Sequence, residues 1–482
     1  MHYPIGFPLR RAFIPTLALT GLALGLLIAR LPLEYGVALV VGAALVIASI
    51  WEPAIGMGLA LLLGPAKALL AITRPDWPSD LGQVFFALAL AGWLARGLAQ
   101  RRLVIPHIRL LLPLGLYIFV GALSLVRSVS LEEGLKELLK WIEIALGMVV
   151  LVSEAGRGRG GWIIAAILAA GLAQAAIGLW QYQFRGAGPE TFRIFGDHYR
   201  AYGTFEQPNP FGGFLGLIWP VAAGLALASA GRQQKAEGGP MASRILATVF
   251  FGLIAALGLI GLYLSFSRGA WLGAAAAAVI MIIFLPRRRW PGVALIVGAV
   301  MAAGALARAG LLPSSLAARL ADVADFTVVA DVRGVNINDA NFAIVERLAH
   351  WQAAAAMARA NPWLGVGMGN YAAAYAAHRL LNWPNALGHA HNIYLNVLAE
   401  TGLSGLVTYV ILWGYIIGLT IRLASKAAGP PRGLAVGLLG AWAHLSAHHL
   451  VDNLYVNNLH FLLAGLLALL VHLASQTREH VS

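Results

Sequence analysis

The 482-residue sequence contains no cysteine, which removes disulfides, thiolate nucleophiles and Cys-ligated metals from the chemistry open to it. It is also short of charge: 11% of residues are Asp, Glu, Lys or Arg, against 59% hydrophobic, with a mean hydropathy of +0.75. A soluble globular domain does not have that composition. Acidic residues are the scarcer sign, 21 against 34 Lys plus Arg, for a formal net charge of +13. The excess does not indicate nucleic acid, because most of the cations fall in short segments between apolar runs, as membrane orientation requires. Also lacking is an internal repeat, on which many transporter folds are built. No small-residue cleavage site follows the first apolar run, which comes after Arg10 and Arg11, so that run is expected to remain as a first span. His, Arg, carboxylates and hydroxyls are left to carry any chemistry.

What the sequence has in abundance is apolar runs of roughly 17–22 residues, each long enough to cross about 30 Å of hydrocarbon as a helix. About fourteen can be drawn, or about twelve if residues 51–70 or 131–153 are re-entrant. The expectation is an all-α polytopic bundle forming a single transmembrane domain over residues 1–482. Basic residues mark alternate loops: Arg96, Arg101, Arg102 and Arg109; Arg157 and Arg159; Arg232 and Lys235; Arg287, Arg288 and Arg289; Arg422, Lys426 and Arg432. These loops and both termini should be cytoplasmic. Two long loops then face outward, residues 182–210 and 311–390. In the second, Ile344, Leu348, Trp351 and Ala355 recur at helical spacing before Asn361-Pro362, which predicts an amphipathic helix on the outer surface over 341–360. The glycines at 365, 367 and 369 follow no strand, so a turn explains them better than a nucleotide loop.

The candidate chemistry sits at span ends. Arg268, in Ser265-Phe266-Ser267-Arg268-Gly269, joins two apolar runs almost without a loop, where it can snorkel to headgroups or offer its planar fork to a diphosphate. His391, with His389, Asn392 and Tyr394, opens the segment that re-enters the membrane. Partial burial there would keep an imidazole neutral and able to accept a proton from a sugar hydroxyl; an interfacial histidine satisfied by headgroups is the plainer alternative. Glu346 and Arg347 can be a solvated helix face or a second diphosphate site. Lys136, Lys140 and Glu143 interrupt an apolar segment and should face the interior or an aqueous cavity, where the lysines could hold phosphate. Arg193 and Arg200, with Arg185 and His198, could contact glycan or diphosphate or be merely solvated. His444, His448 and Asp452 recur at i, i+4 and i+8, a spacing read as one helical face that could hold a metal, with buried hydrogen bonding or a supporting role for His448 and Asp452 as the alternative.

In order along the chain stand GTFEQPNPFG (203–212), SFSRGAW (265–271), Arg347 to Trp351 with NPWLGVG (361–367), and HNIYLNVLAETGLSG (391–405). This ordered set resembles the O-antigen ligase superfamily, which also holds O-antigen polymerases and bacterial protein O-glycosylating transferases. The resemblance runs over about residues 182–453; the first six spans share only hydropathy. It implies a C-type membrane glycosyltransferase bundle in the bacterial inner membrane, with its site facing the periplasm. Its donor would be an undecaprenyl-diphosphate-linked glycan and its acceptor the hydroxyl of lipid A–core, a second repeat unit or a protein. His391 would be the catalytic residue and Arg268 and Arg347 the diphosphate ligands, with no metal and no cofactor. Ligase, polymerase and protein-modifying activities stay open. A transporter or flippase for lipid-linked sugars is the rival of another class, disfavoured because the polar groups collect in outer loops and at span ends.

Overall fold

The computed structural model describes residues 30, 32–75, 80–103, 105–231, 240–309, 331–338 and 341–479. The first expected span, the pair Arg232 and Lys235, and residues 310–330 of the long loop lie outside them. Helix makes up 77% of the described residues, and the strands described are one short antiparallel ribbon, β1 Arg193–Phe195 with β2 His198–Tyr199. The protein is an all-α polytopic membrane protein.

The first half comprises α1 Leu33–Trp51, α2 Pro53–Leu63, α3 Lys67–Thr73, α4 Leu81–Ala99, α5 Leu111–Ser124, α6 Leu131–Glu154 and α7 Gly160–Gln183. The second half comprises α8 Pro208–Ala230, α9 Met241–Leu264, α10 Arg268–Phe284, α11 Trp290–Arg308, α12 Phe342–Ala360, α13 Tyr371–His378, α14 Ile393–Lys426, α15 Gly429–His448 and α16 Leu459–Glu479. Nine runs among the described residues are long and apolar enough to cross a bilayer, one of them being residues 131–183, which holds both α6 and α7. The expected count of about twelve to fourteen is approached once those two are separated and the shorter apolar α5 and α10 and the buried α15 are included. Residues 131–153 lie within one unbroken helix, whereas residues 51–70 break at the extended Glu52 and then run on helically, tightening to 3₁₀ geometry at Gly64–Ala66.

Helix α8 is the central post. Its apolar window is 83% buried, against 6% for α11, so α8 sees protein on all sides while α11 sees lipid. It packs on α9 and α15, and α10 closes on α15. Small residues permit the approach: a side chain at Gly224 would strike the backbone of Gly433 and Gly437, the close packing that replaces the hydrophobic drive where the solvent is itself apolar. At one end of the bundle the buried carboxylate of Glu154 is shared by Arg96 (3.1 Å), Arg157 (2.8 Å) and Arg159, and Glu52 also accepts Arg159 (2.6 Å). This knot ties the ends of α1, α4 and α6 together.

Side-chain N-caps gather at the other end. Asp80, Ser130, Ser267 and Asn392 accept the N–H of Gln83, Glu133, Ala270 and Leu395, starting α4, α6, α10 and α14. The expected helix over 341–360 is α12. Its sheltered stripe is Val345, Leu348, Ala349, Ala353 and Met357, and it rests on α13 and α14. The stripe therefore turns toward the neighbouring helices, and Trp351 and Ala355 sit at its margin. After α12 the glycine segment is a turn, as expected: Val366 and Gly367 donate to the carbonyls of Ala399 and Glu400. Gly402 breaks α14 at φ +66°, and a Cβ there would overlap the backbone of Trp363. The two segments can seat this closely only because that residue lacks a side chain and tolerates a left-handed backbone.

Candidate active site

His391 stands at the start of α14. Asn392 caps the helix and also donates through Nδ2 to the Leu450 carbonyl (3.0 Å); Ile393 N donates to His449 O (3.0 Å), and Ala390 N to the Asn396 side chain (3.0 Å). These bonds hold His391 at φ +52°, a conformation a non-glycine residue keeps only when its surroundings over-determine it. Its Nδ1 lies 3.7 Å from Asp452 Oδ1. That is an electrostatic pairing, too long for a hydrogen bond, and both ring nitrogens are buried without a hydrogen-bond partner. The His391 carbonyl accepts the Trp351 indole N–H at 3.4 Å, and the His350 ring stands edge-on at 5.7 Å.

Asp452 joins motifs far apart in the chain. Its Oδ2 accepts Asn209 Nδ2 (2.8 Å), while Asn209 Oδ1 accepts Arg200 Nη2 (3.3 Å). Arg200 Nε in turn donates to Ser265 O (2.9 Å), two residues from the cap of α10. Burial would push the Asp452 carboxyl up, but the His391 side chain facing it, with His389 and His448, holds it below the usual carboxylate range. His389 accepts the His391 backbone N–H on Nδ1 (3.1 Å), so its proton sits on Nε2, 3.7 Å from Asp452 Oδ1. Burial outweighs Asp452's attraction and lowers His389 to about 4; it is a neutral residue at neutral pH.

Three guanidinium groups converge here. Burial and the positive charges of Arg347 and Arg268 bring Arg200 down to about 10. Arg347 is lowered by burial and by Arg268, with Asp452 and Glu346 opposing, and its Nε is buried without a partner. Arg268, the first residue of α10, is exposed on the rim. Like charges forced together in this way are a standing site for an anion. The donor atoms of His389, His391 and Asp452 also lie within 4.8 Å of one another, a spacing that could hold a cation, but the surrounding guanidinium charge opposes one.

The structure thus brings together Arg200, Arg268, Arg347, His389, His391, Asn392 and Asp452. It leaves others apart. Arg193 is exposed on β1 and paired with Glu190. Tyr394 spends its hydroxyl on the Ser446 carbonyl. Lys136 pairs with Glu132 and Glu133, and Lys140 with Glu137. Both lysines, with Glu143, line a separate cavity of about 620 Å³ that reaches the cluster at His389, in keeping with the expectation that they face an aqueous space. One reading is corrected. His444, His448 and Asp452 are not on one helical face, because α15 ends at His448 and Asp452 belongs to the irregular segment beyond it. His444 and His448 pack instead against Gly273 and Gly269 of α10. Sequence reasoning missed Asn209 and His350; the QPNP segment around Asn209 carried the signal, and nothing around His350 did.

A multi-pass helical membrane protein with a buried histidine–carboxylate pair under a cluster of arginines defines the class. Residues 253–410 match the family model described as O-antigen ligase, and the match supports the chain's place in the O-antigen ligase and polymerase superfamily and a glycosyltransferase-like function. The matched segment contains Arg268, Arg347 and His391; Arg200, Asn209 and Asp452 lie outside it. No curated protein matches the chain.

Proposed function

We propose that this protein is an inverting, metal-independent transferase of the O-antigen ligase type. It moves a glycan from undecaprenyl diphosphate to an acceptor hydroxyl at the periplasmic face of the bacterial inner membrane. The observation that carries the reading is the convergence of Arg200, Arg268 and Arg347 beside the His391–Asp452 pair. Neighbouring positive charges, two of them partly buried, are relieved by a multiply charged anion, and a diphosphate offers several acceptor oxygens to planar donors.

In this reading Nδ1 of His391 faces Asp452, leaving Nε2 to take the proton of the acceptor hydroxyl. The acceptor oxygen bonds to the donor's anomeric carbon as the bond from that carbon to the diphosphate oxygen breaks. The electron pair leaves with the diphosphate, so the configuration inverts in one displacement. The new charge on the leaving group grows between guanidiniums already in place, and Asp452 stabilises the imidazolium that forms. His389 stays neutral and fixes the backbone of His391. Arg193, Lys136 and Lys140, already paired with carboxylates, have no part in holding the diphosphate.

The test is transfer by purified protein of a labelled glycan from a synthetic undecaprenyl diphosphate. Lipid A–core, a second lipid-linked repeat and a serine-bearing peptide are supplied in turn. His391→Ala should abolish transfer to whichever acceptor works while leaving donor binding intact. Retained transfer by that variant removes His391 as the base, and movement of labelled lipid across a vesicle with no new glycosidic bond would favour a flippase.

A further inference from the structure

A groove of about 800 Å³ lies nowhere near His391. It lies between α5 and α14, with His107, Arg109 and Arg422 at one end and apolar walls beyond. Helix α14 begins beside the site at Ile393 and runs from its break at Gly402 to Arg422, about 30 Å at the helical rise. The basic end of the groove is therefore one hydrocarbon thickness away from the candidate active site, at the level of the opposite leaflet.

We infer that this groove is a binding site for an anionic diacyl phospholipid of that leaflet. The phosphate would sit between Arg109 and Arg422, and one acyl chain would lie along α5 and α14. Four observations fix the occupant. No carboxylate lines the groove, so its basic end carries net positive charge and a net negative headgroup complements it. Leu112 is 81% exposed and Leu116 43%, side chains that belong against hydrocarbon. The floor is opened by Gly414 and Gly418, where a Cβ would meet nothing within 4 Å. From Arg422 back to Ile411 the groove runs about 16 Å along α14, enough for much of one acyl chain and only a fraction of an undecaprenyl tail.

The proposal is independent of the transfer chemistry, and its test does not read activity. Full-length protein, purified and delipidated in detergent, is offered phosphatidylglycerol, phosphatidylethanolamine or undecaprenyl phosphate, and retained lipid is read by native mass spectrometry. Wild type should retain one phosphatidylglycerol in preference to phosphatidylethanolamine, and undecaprenyl phosphate retained at the candidate active site should be unaffected by changes in the groove. The double variant Arg109→Gln/Arg422→Gln should bind it about thirtyfold more weakly, two basic contacts at a membrane surface being lost. Gly418→Leu keeps both arginines and fills the floor, so it should lower retention of phosphatidylglycerol without creating a preference for phosphatidylethanolamine. Equal retention of the two phospholipids overturns the proposal, as does undiminished phosphatidylglycerol binding in the double arginine variant. Undecaprenyl phosphate retention that falls in the double arginine variant would overturn the assignment of a diacyl lipid, because binding at the candidate active site does not use Arg109 or Arg422.

Discussion

Replacing Asp452 with asparagine keeps the side chain's shape and removes one charge 3.7 Å from Nδ1 of His391. Two unit charges at that separation interact by about 1 kcal/mol in water and about 4 kcal/mol at an effective dielectric of 20. Asp452 is only 5% exposed, so the larger figure is the nearer, reduced by the asparagine dipole that remains. A loss of about 2–4 kcal/mol of support for the imidazolium corresponds to a kcat lower by about thirtyfold to a thousandfold. The substitution also disturbs the hydrogen bonds, because Asp452 accepts both Asn209 Nδ2 and the Asn453 N–H, and a single amide oxygen replaces its two. Donor binding should change little, since the arginines keep their places. The assay is single-turnover transfer from a labelled undecaprenyl-diphosphate glycan, with donor affinity measured separately. A kcat within threefold of wild type would refute the role given to Asp452. So would a loss confined to donor affinity.

Arg347→Lys keeps the charge and loses the planar fork, so donor affinity and transfer should both fall by about tenfold or more, one charge-assisted bond being lost; lysine at wild-type activity would reduce the site to a point charge. Gly402→Ala puts a Cβ into the Trp363 backbone at positive φ and should cost about 2–4 kcal/mol of stability, seen as a lower midpoint in a thermal-shift assay. His389 takes its proton near 6.5 when unfolded and only at about 4 when folded. Its contribution to stability is thus present above pH 6.5 and is lost as pH falls from 6.5 toward 4. Melting points of wild type should therefore drop faster than those of His389→Gln across that interval; parallel curves would show that His389 is not held neutral.

The all-α polytopic class was legible because lipid demands it. A chain with 59% hydrophobic residues in span-length runs has no other way to satisfy its backbone in a bilayer. The helix breaker was equally local: Asn361-Pro362 ends α12 where expected. Arg268, Arg347 and His391 could be picked out from motifs, but their meeting could not, since it depends on how α10, α12 and α14 pack. Local periodicity misled at Asp452, where an i+8 spacing read as a helix face continues past the end of α15 into irregular chain. Asn209, the link between Arg200 and Asp452, lies 243 residues from its carboxylate partner. The sequence by itself determined the solvent, the helices and the residue types at their ends, because those follow from near-neighbour hydropathy and capping. Only the tertiary structure decided which cations share a site, which are neutralised elsewhere and which carboxylate faces the histidine, because charge interactions act through space and take no account of distance along the chain.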